Sequence, residues 1–190
     1  MTTTLFTNAH IATGEPGSTA ASTLPLQDIL VTDGVFTAFG PGLAQQYEAQ
    51  GGDLAAIEVV DLGGKLVCPP FCDTHLHLDY VFTARKPGAV NESGTLFEGI
   101  QRWSETKSDL TVDEIKQRAK IGIKKEMLHG VQLIRSHADV TDPNLTSLKA
   151  LLELKEELKD TVTLQIVSFP QEGMYSYEGP HGESGAELVE

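Results

Sequence analysis

Basic residues are scarce in this 190-residue chain: 14 Lys and Arg stand against 27 Asp and Glu, for a formal net charge of −13. No block of Lys or Arg occurs. The chain thus offers no electrostatic footprint for a phosphate backbone or an anionic lipid surface, and neither nucleic acid nor membrane is an expected partner. Long apolar runs are missing too. Nothing approaches the ~18 uninterrupted apolar residues of a spanning helix, and Met1-Thr2-Thr3-Thr4-Leu5-Phe6 lacks the basic and apolar regions of a secretion signal. A cytoplasmic location is the expectation. Two cysteines, Cys68 and Cys72, exclude a disulfide framework and fit a reducing compartment. With two prolines between them and no second pair, they are expected to be buried strand thiols rather than metal ligands or a redox couple. Gly-x-Gly-x-x-Gly, Walker and Gly-x-Ser-x-Gly patterns are all absent, which removes the common nucleotide-binding and serine-hydrolase readings. What remains is 40% hydrophobic and 22% charged, enough apolar material for a core.

The first 64 residues read as a small β module. Alternation and Gly/Pro punctuation predict strands from Thr4 to Ala12, Leu26 to Thr32, Val35 to Phe39 and Ile57 to Leu62, with Asp33-Gly34 as a hairpin turn. Residues 13–23 and 41–53 show no clear period. From Lys65 to Glu190 strand-like and helix-like patterns alternate. Lys65 to Asp79 is extended and broken by Pro69-Pro70; Thr95 to Lys107 is helical, with Leu96, Ile100 and Trp103 on one side. Thr111 and Glu114 form a capping box for a helix with Ile115, Ala119, Ile123 and Met127 in phase, stopped by Gly130. Val131 to His137 is a strand, and Asp142-Pro143 starts a helix whose apolar stripe is Leu145, Leu148, Leu152 and Leu158. Thr161 to Phe169 is another strand, ended by Pro170. Strands separated by helices at this spacing predict right-handed βαβ crossovers and a parallel α/β sheet with its chemistry at the strand ends.

Those ends carry the candidate residues. In a strand, His75 and His77 point to one face and can present two imidazoles to a divalent metal; equally, they can be two partly exposed strand-end histidines. Asp79 falls on the same face, as a supporting carboxylate or a simple strand terminator. His137, with Asp139 two residues on, faces the same mouth, as a structural histidine or a substrate contact. Gln171 follows a strand end, where its amide can both donate to and accept from a planar polar ligand. His10, His129 and His181 are assigned no role.

Taken together, these motifs resemble a known family. The run from Gly63 through Pro69-Pro70-Phe71 to Asp73-Thr74-His75-Leu76-His77-Leu78-Asp79 is similar to the barrel entry of the metal-dependent amidohydrolase superfamily. Ser93-Gly94-Thr95-Leu96-Phe97-Glu98-Gly99, Ile134 to Val140 and Leu164 to Gly173 resemble the cytosine deaminases within it. The resemblance implies the N-terminal portion of a (β/α)8 TIM-type barrel preceded by part of a small β-sandwich. It implies His75 and His77 as ligands to one divalent ion, Fe(II) or Zn(II), with Gln171 and Leu96 contacting a pyrimidine-like small molecule. The ion would activate water to displace an exocyclic amine as ammonia. The stretch from Lys65 is about half of the ~250 residues a full barrel uses. The family's remaining ligands and its proton-shuttling Glu are therefore expected beyond Glu190, leaving this chain inactive alone and its catalytic residue unknown. Tyr80 to Glu92 is more aromatic and basic than the enterobacterial type, so isocytosine or creatinine stays open as substrate. Two rival readings remain: a non-catalytic binding or assembly subunit on a degraded barrel, and a cyclic-amide hydrolase of the same superfamily. A homo-oligomer is compatible with all three.

Overall fold

The computed structural model describes residues 2–12, 25–142, 144–175, 181, 182, 184 and 187. The unpatterned stretch 13–23, the helix-start Pro143 and most of 185–190 lie outside the described residues. The chain divides into two compact units, Met1–Pro69 and Pro70–Glu190.

In the first unit, β1 (Thr3–Ile11), β2 (Leu26–Thr32), β3 (Val35–Gly40) and β4 (Glu58–Asp61) form a sheet in the order β3-β2-β1-β4, and β5 (Leu66–Val67) also pairs with β1. The β1–β2 and β2–β3 pairs are antiparallel; β4 and β5 run parallel to β1. Asp33 and Gly34 both have positive φ, the requirement of a tight hairpin turn of the primed type. The β1–β2 register shifts between Phe6 and Ala9, around Asn8, whose φ is 58°. There the buried Asp28 carboxylate accepts the Asn8 N–H at 3.2 Å and the Leu43 N–H at 2.9 Å, tying the bulge to the start of α1 (Leu43–Ala49). That helix lies in the stretch where the sequence shows no period. Seven residues are too short for a stripe, and Leu43 is its one buried residue.

The second unit holds a parallel sheet, β6 (Phe71–Leu76), β7 (Val131–Asp139) and β8 (Thr163–Phe169), in that order. Between β6 and β7 run α2 (Leu96–Lys107) and α3 (Val112–Leu128); α4 (Thr146–Glu157) joins β7 to β8. Lys65 to Asp79 breaks at Pro69-Pro70, as expected: the prolines supply no N–H to a ladder, so Leu66–Val67 stays with β1 and the next strand begins at Phe71, and the compact units divide after Pro69 rather than at the expected Gly64.

The α3 capping box forms as its sequence pattern predicts, and Gly130 ends the turn after it with a φ of 86°. Ile115, Ala119 and Ile123 are buried as that pattern requires. On β7, Ile134, Ser136 and Ala138 pair with Leu164, Ile166 and Ser168 of β8, while alternation leaves His137, Val167 and Phe169 on the opposite side. The core joins Leu78, Ile123, Ile134, Leu151, Leu154 and Leu164. Each such side chain contributes about 1.5–3 kcal/mol by leaving water.

The α4 stripe is met in part: Leu148 and Leu158 pack at the edge of the core, whereas Leu145 stands before the helix with a left-handed φ of 50° and the fully buried positions are Ser147, Ala150, Leu151 and Leu154. Leu152 is 50% exposed. Asp142 still starts the helix: its carboxylate accepts the N–H groups of Asn144 and Thr146. The two cysteines are exposed rather than buried. Cys68 follows the two-residue β5, and Cys72 lies on β6, the end strand of the described sheet.

Candidate functional site

β6 ends at Leu76, and the two imidazoles flank that end, His75 at the end of the strand and His77 just past it. His75 Nε2 and His77 Nε2 lie 3.3 Å apart. His77 Nδ1 is 3.1 Å from the His137 carbonyl, so Nδ1 carries the proton and Nε2 presents a lone pair. Burial pulls the His77 pKa below the usual imidazole value, against the opposing effect of that carbonyl. The His137 ring stacks on His75 with centroids 4.2 Å apart. Burial, followed by the charges of His75 and Arg135, also lowers the His137 pKa. Among the described residues, none bonds the buried His137 Nδ1.

The donor set fits a divalent ion in part. Two Nε2 atoms 3.3 Å apart are closer than twice the ~2.1 Å metal–nitrogen bond, and the carbonyl on the far nitrogen of His77 is the usual support for a ligating imidazole. Among the described residues, no group of three or more His, Cys, Asp or Glu side chains is placed to hold a metal.

Asp79 does not join the pair. The chain leaves the strand after Leu76, alternation ends, and Asp79 is fully buried with its carboxylate accepting the N–H groups of Asp139 at 2.9 Å and Tyr80 at 3.1 Å. Burial pushes its carboxyl up to about 7. Arg118 braces the same turn through the Asp79 and Val81 carbonyls.

In front of the histidines opens a cavity of about 640 Å³. Tyr80, Trp103 and Phe169 form its aromatic walls, and Leu96, Ile100 and Gln171 line it too. Tyr80 stacks on His77 at 4.6 Å and lies 4.8 Å from Trp103; Phe169 meets His77 edge-on. The expected face of α2, Leu96, Ile100 and Trp103, thus lines the cavity, with Leu96 at its mouth and 73% exposed. The rim at Asn91, Gly94 and Thr95 is held rigidly. Glu98 accepts from the Ser93 hydroxyl and from the Ser93 and Glu92 N–H groups, and Asn91 bonds Gly94 N–H and the Thr95 carbonyl.

Sequence reasoning missed Tyr80 and Phe169 as wall residues and the buried Asp139–Lys107 pair behind Trp103. The chain's single tryptophan, in phase with Leu96 on a helix leading away from a strand end, was the available signal.

Residues 58–189 match the Amidohydrolase family. The crystal structure of 5-methylcytosine deaminase from Klebsiella pneumoniae liganded with 5-fluorocytosine superposes with a TM-score of 0.76 and 38% identity, over 97% of this chain and 39% of that one. The N-isopropylammelide isopropyl amidohydrolase of Pseudomonas sp. (strain ADP) is 35% identical over 120 residues, 61% of this chain and 30% of that protein. A pterin deaminase of Rhizobium rhizogenes is 27% identical over 152 residues, 77% of this chain and 32% of that protein. The chain thus spans about a third of the length of these two relatives.

Proposed function

The chain belongs to the amidohydrolase family, and from that premise we propose that it supplies two metal ligands and part of the ring pocket of a deaminase acting on cytosine or a related planar N-heterocycle. The observation that carries this reading is the His75–His77 pair facing an aromatic-walled cavity that also presents Gln171. On it, the β6-β7-β8 sheet is the first part of a (β/α)8 barrel, with the site at the carboxyl ends of its strands.

Each residue has a definable task. His75 and His77 would hold the ion, and the His137 carbonyl keeps the His77 proton on Nδ1 so that Nε2 is free to ligate. Bound there, Fe(II) or Zn(II) would lower the pKa of water toward neutral. Tyr80 and Trp103 offer π faces to a flat ring, and Phe169 with Leu96 keeps water from its edge. The Gln171 amide can donate to a ring carbonyl and accept from a ring N–H at once, which selects heterocycles carrying both.

The test combines elemental analysis with an ammonia-release assay on protein purified from its native source, using cytosine, 5-methylcytosine and isocytosine. The expected result is bound divalent metal and ammonia release, both lost in a His75→Ala/His77→Ala variant. Deamination surviving that double replacement overturns the assignment. Hydrolysis of a cyclic amide without ammonia release favours the rival hydrolase, and a metal-free wild type favours the binding subunit.

A further inference from the structure

We propose that Lys107 is a positioning residue that ties the aromatic wall of the cavity to the loop carrying Gln171. Lys107 is the last residue of α2 and only 9% exposed. Its ammonium lies 2.6 Å from Glu172 Oε1 and 3.3 Å from Asp139 Oδ2, and donates to the Thr141 hydroxyl at 2.9 Å. Each carboxylate has a second task. Asp139 Oδ2 accepts the Trp103 indole N–H at 2.6 Å, while its Oδ1 accepts the Thr141 N–H and hydroxyl. Glu172 also accepts from the Ser104 hydroxyl and directly follows Gln171.

One cation therefore joins the end of β7, the end of α2 and the loop after β8. Burying an ammonium is costly unless it is paired and fully hydrogen-bonded, and here that pairing fixes two cavity-lining side chains at once. Trp103 is held from behind by Asp139, and its ring faces Tyr80 and hence His77. Gln171 is held through its neighbour and through its own N–H to the Phe169 carbonyl at 3.0 Å. A ring bound between Trp103 and Gln171 would meet both in fixed registry. The consequence for ligand affinity rests on the deaminase reading; the mechanical tie does not.

Trp103 is the chain's sole tryptophan, so its emission and acrylamide quenching report on this wall alone. Glu172 is 35% exposed, which makes Glu172→Gln a variant that cuts one arm of the tie without opening the core. Coupling predicts that Glu172→Gln raises acrylamide quenching of Trp103. It also predicts that Lys107→Met lowers hydrogen-exchange protection of the Gln171 and Gly173 amides about tenfold, with Lys107→Arg restoring part of it. In titrations with cytosine, both Glu172→Gln and Lys107→Met should weaken binding about tenfold while bound metal stays at the wild-type level. Folded Glu172→Gln with unchanged Trp103 quenching, or Lys107→Met with the loop amides still protected, overturns the tie. Coupled changes in a wild type that binds no cytosine support the tie and sink the deaminase reading instead.

Discussion

Asp28 in the N-terminal unit and Asp139 in the C-terminal unit are both buried carboxylates, and their partners differ in kind. Asp28 accepts main-chain N–H groups, from Asn8 and Leu43, so it fixes the path of the backbone at a bulge and a helix start. Asp139 accepts one main-chain N–H, from Thr141, but chiefly gathers side chains, an indole, an ammonium and a hydroxyl, and thereby fixes what lines a cavity. The surroundings differ as well. The first unit leaves Val35, Phe36 and Phe39 exposed on β3, whereas the second buries Asp79, Lys107, Ser136 and Thr141 close to its apolar core. Buried polar side chains are tolerated where they satisfy one another, and here that happens where the side chains of a site must be held still.

The sharpest way to break this comparison is Asp139→Ala. It takes one of two carboxylates from a buried ammonium and the acceptor from an indole N–H, and should destabilise the second unit by about 3–5 kcal/mol in urea denaturation. Asp28→Ala removes an acceptor from two main-chain donors, one of them buried, and should cost less, about 1–3 kcal/mol. Equal losses would mean that the two carboxylates do the same job. Thr111→Ala deletes the side-chain half of the α3 capping box and is expected to cost about 1 kcal/mol. The start of α1 has no side-chain cap to lose at Gly42, so its stability should depend on Asp28 instead.

The smallest effect is one of pH. Hydrogen bonds from the Ser93 hydroxyl, the Ser93 N–H and the Glu92 N–H hold the Glu98 carboxyl down at about 2. A depressed carboxyl stabilises the fold fully above its unfolded pKa near ~4.3 and loses that contribution as pH falls toward the folded value. The stability difference between wild type and Glu98→Gln should accordingly hold from pH 7 to about 5 and vanish near pH 2. A difference independent of pH would show that the cavity rim does not depend on that charge.

Much of this architecture was legible locally. The Asp33-Gly34 turn, the Thr111–Glu114 box, the α3 stripe and the same-face placement of His75 and His77 are decided by residues two to four apart, where backbone periodicity governs. The errors cluster where a single backbone event resets that periodicity. Leu145 in the left-handed region falls outside the α4 helix it was expected to join, and the end of β6 at Leu76 ended the alternation that put Asp79 on the face of the histidines, turning its carboxylate to the Asp139 and Tyr80 N–H groups.

The sequence by itself determined the strand-end imidazole pair, the helix caps and the acidic, anion-avoiding surface charge, because each is set by local spacing or composition. Only the tertiary structure decided that Asp79 and Asp139 are buried, and that His137 stacks on His75. It alone decided that Lys107 meets Asp139 and Glu172, partners 32 and 65 residues away. No period or motif reaches across such separations; those distances are set by how α2 packs against the ends of β7 and β8.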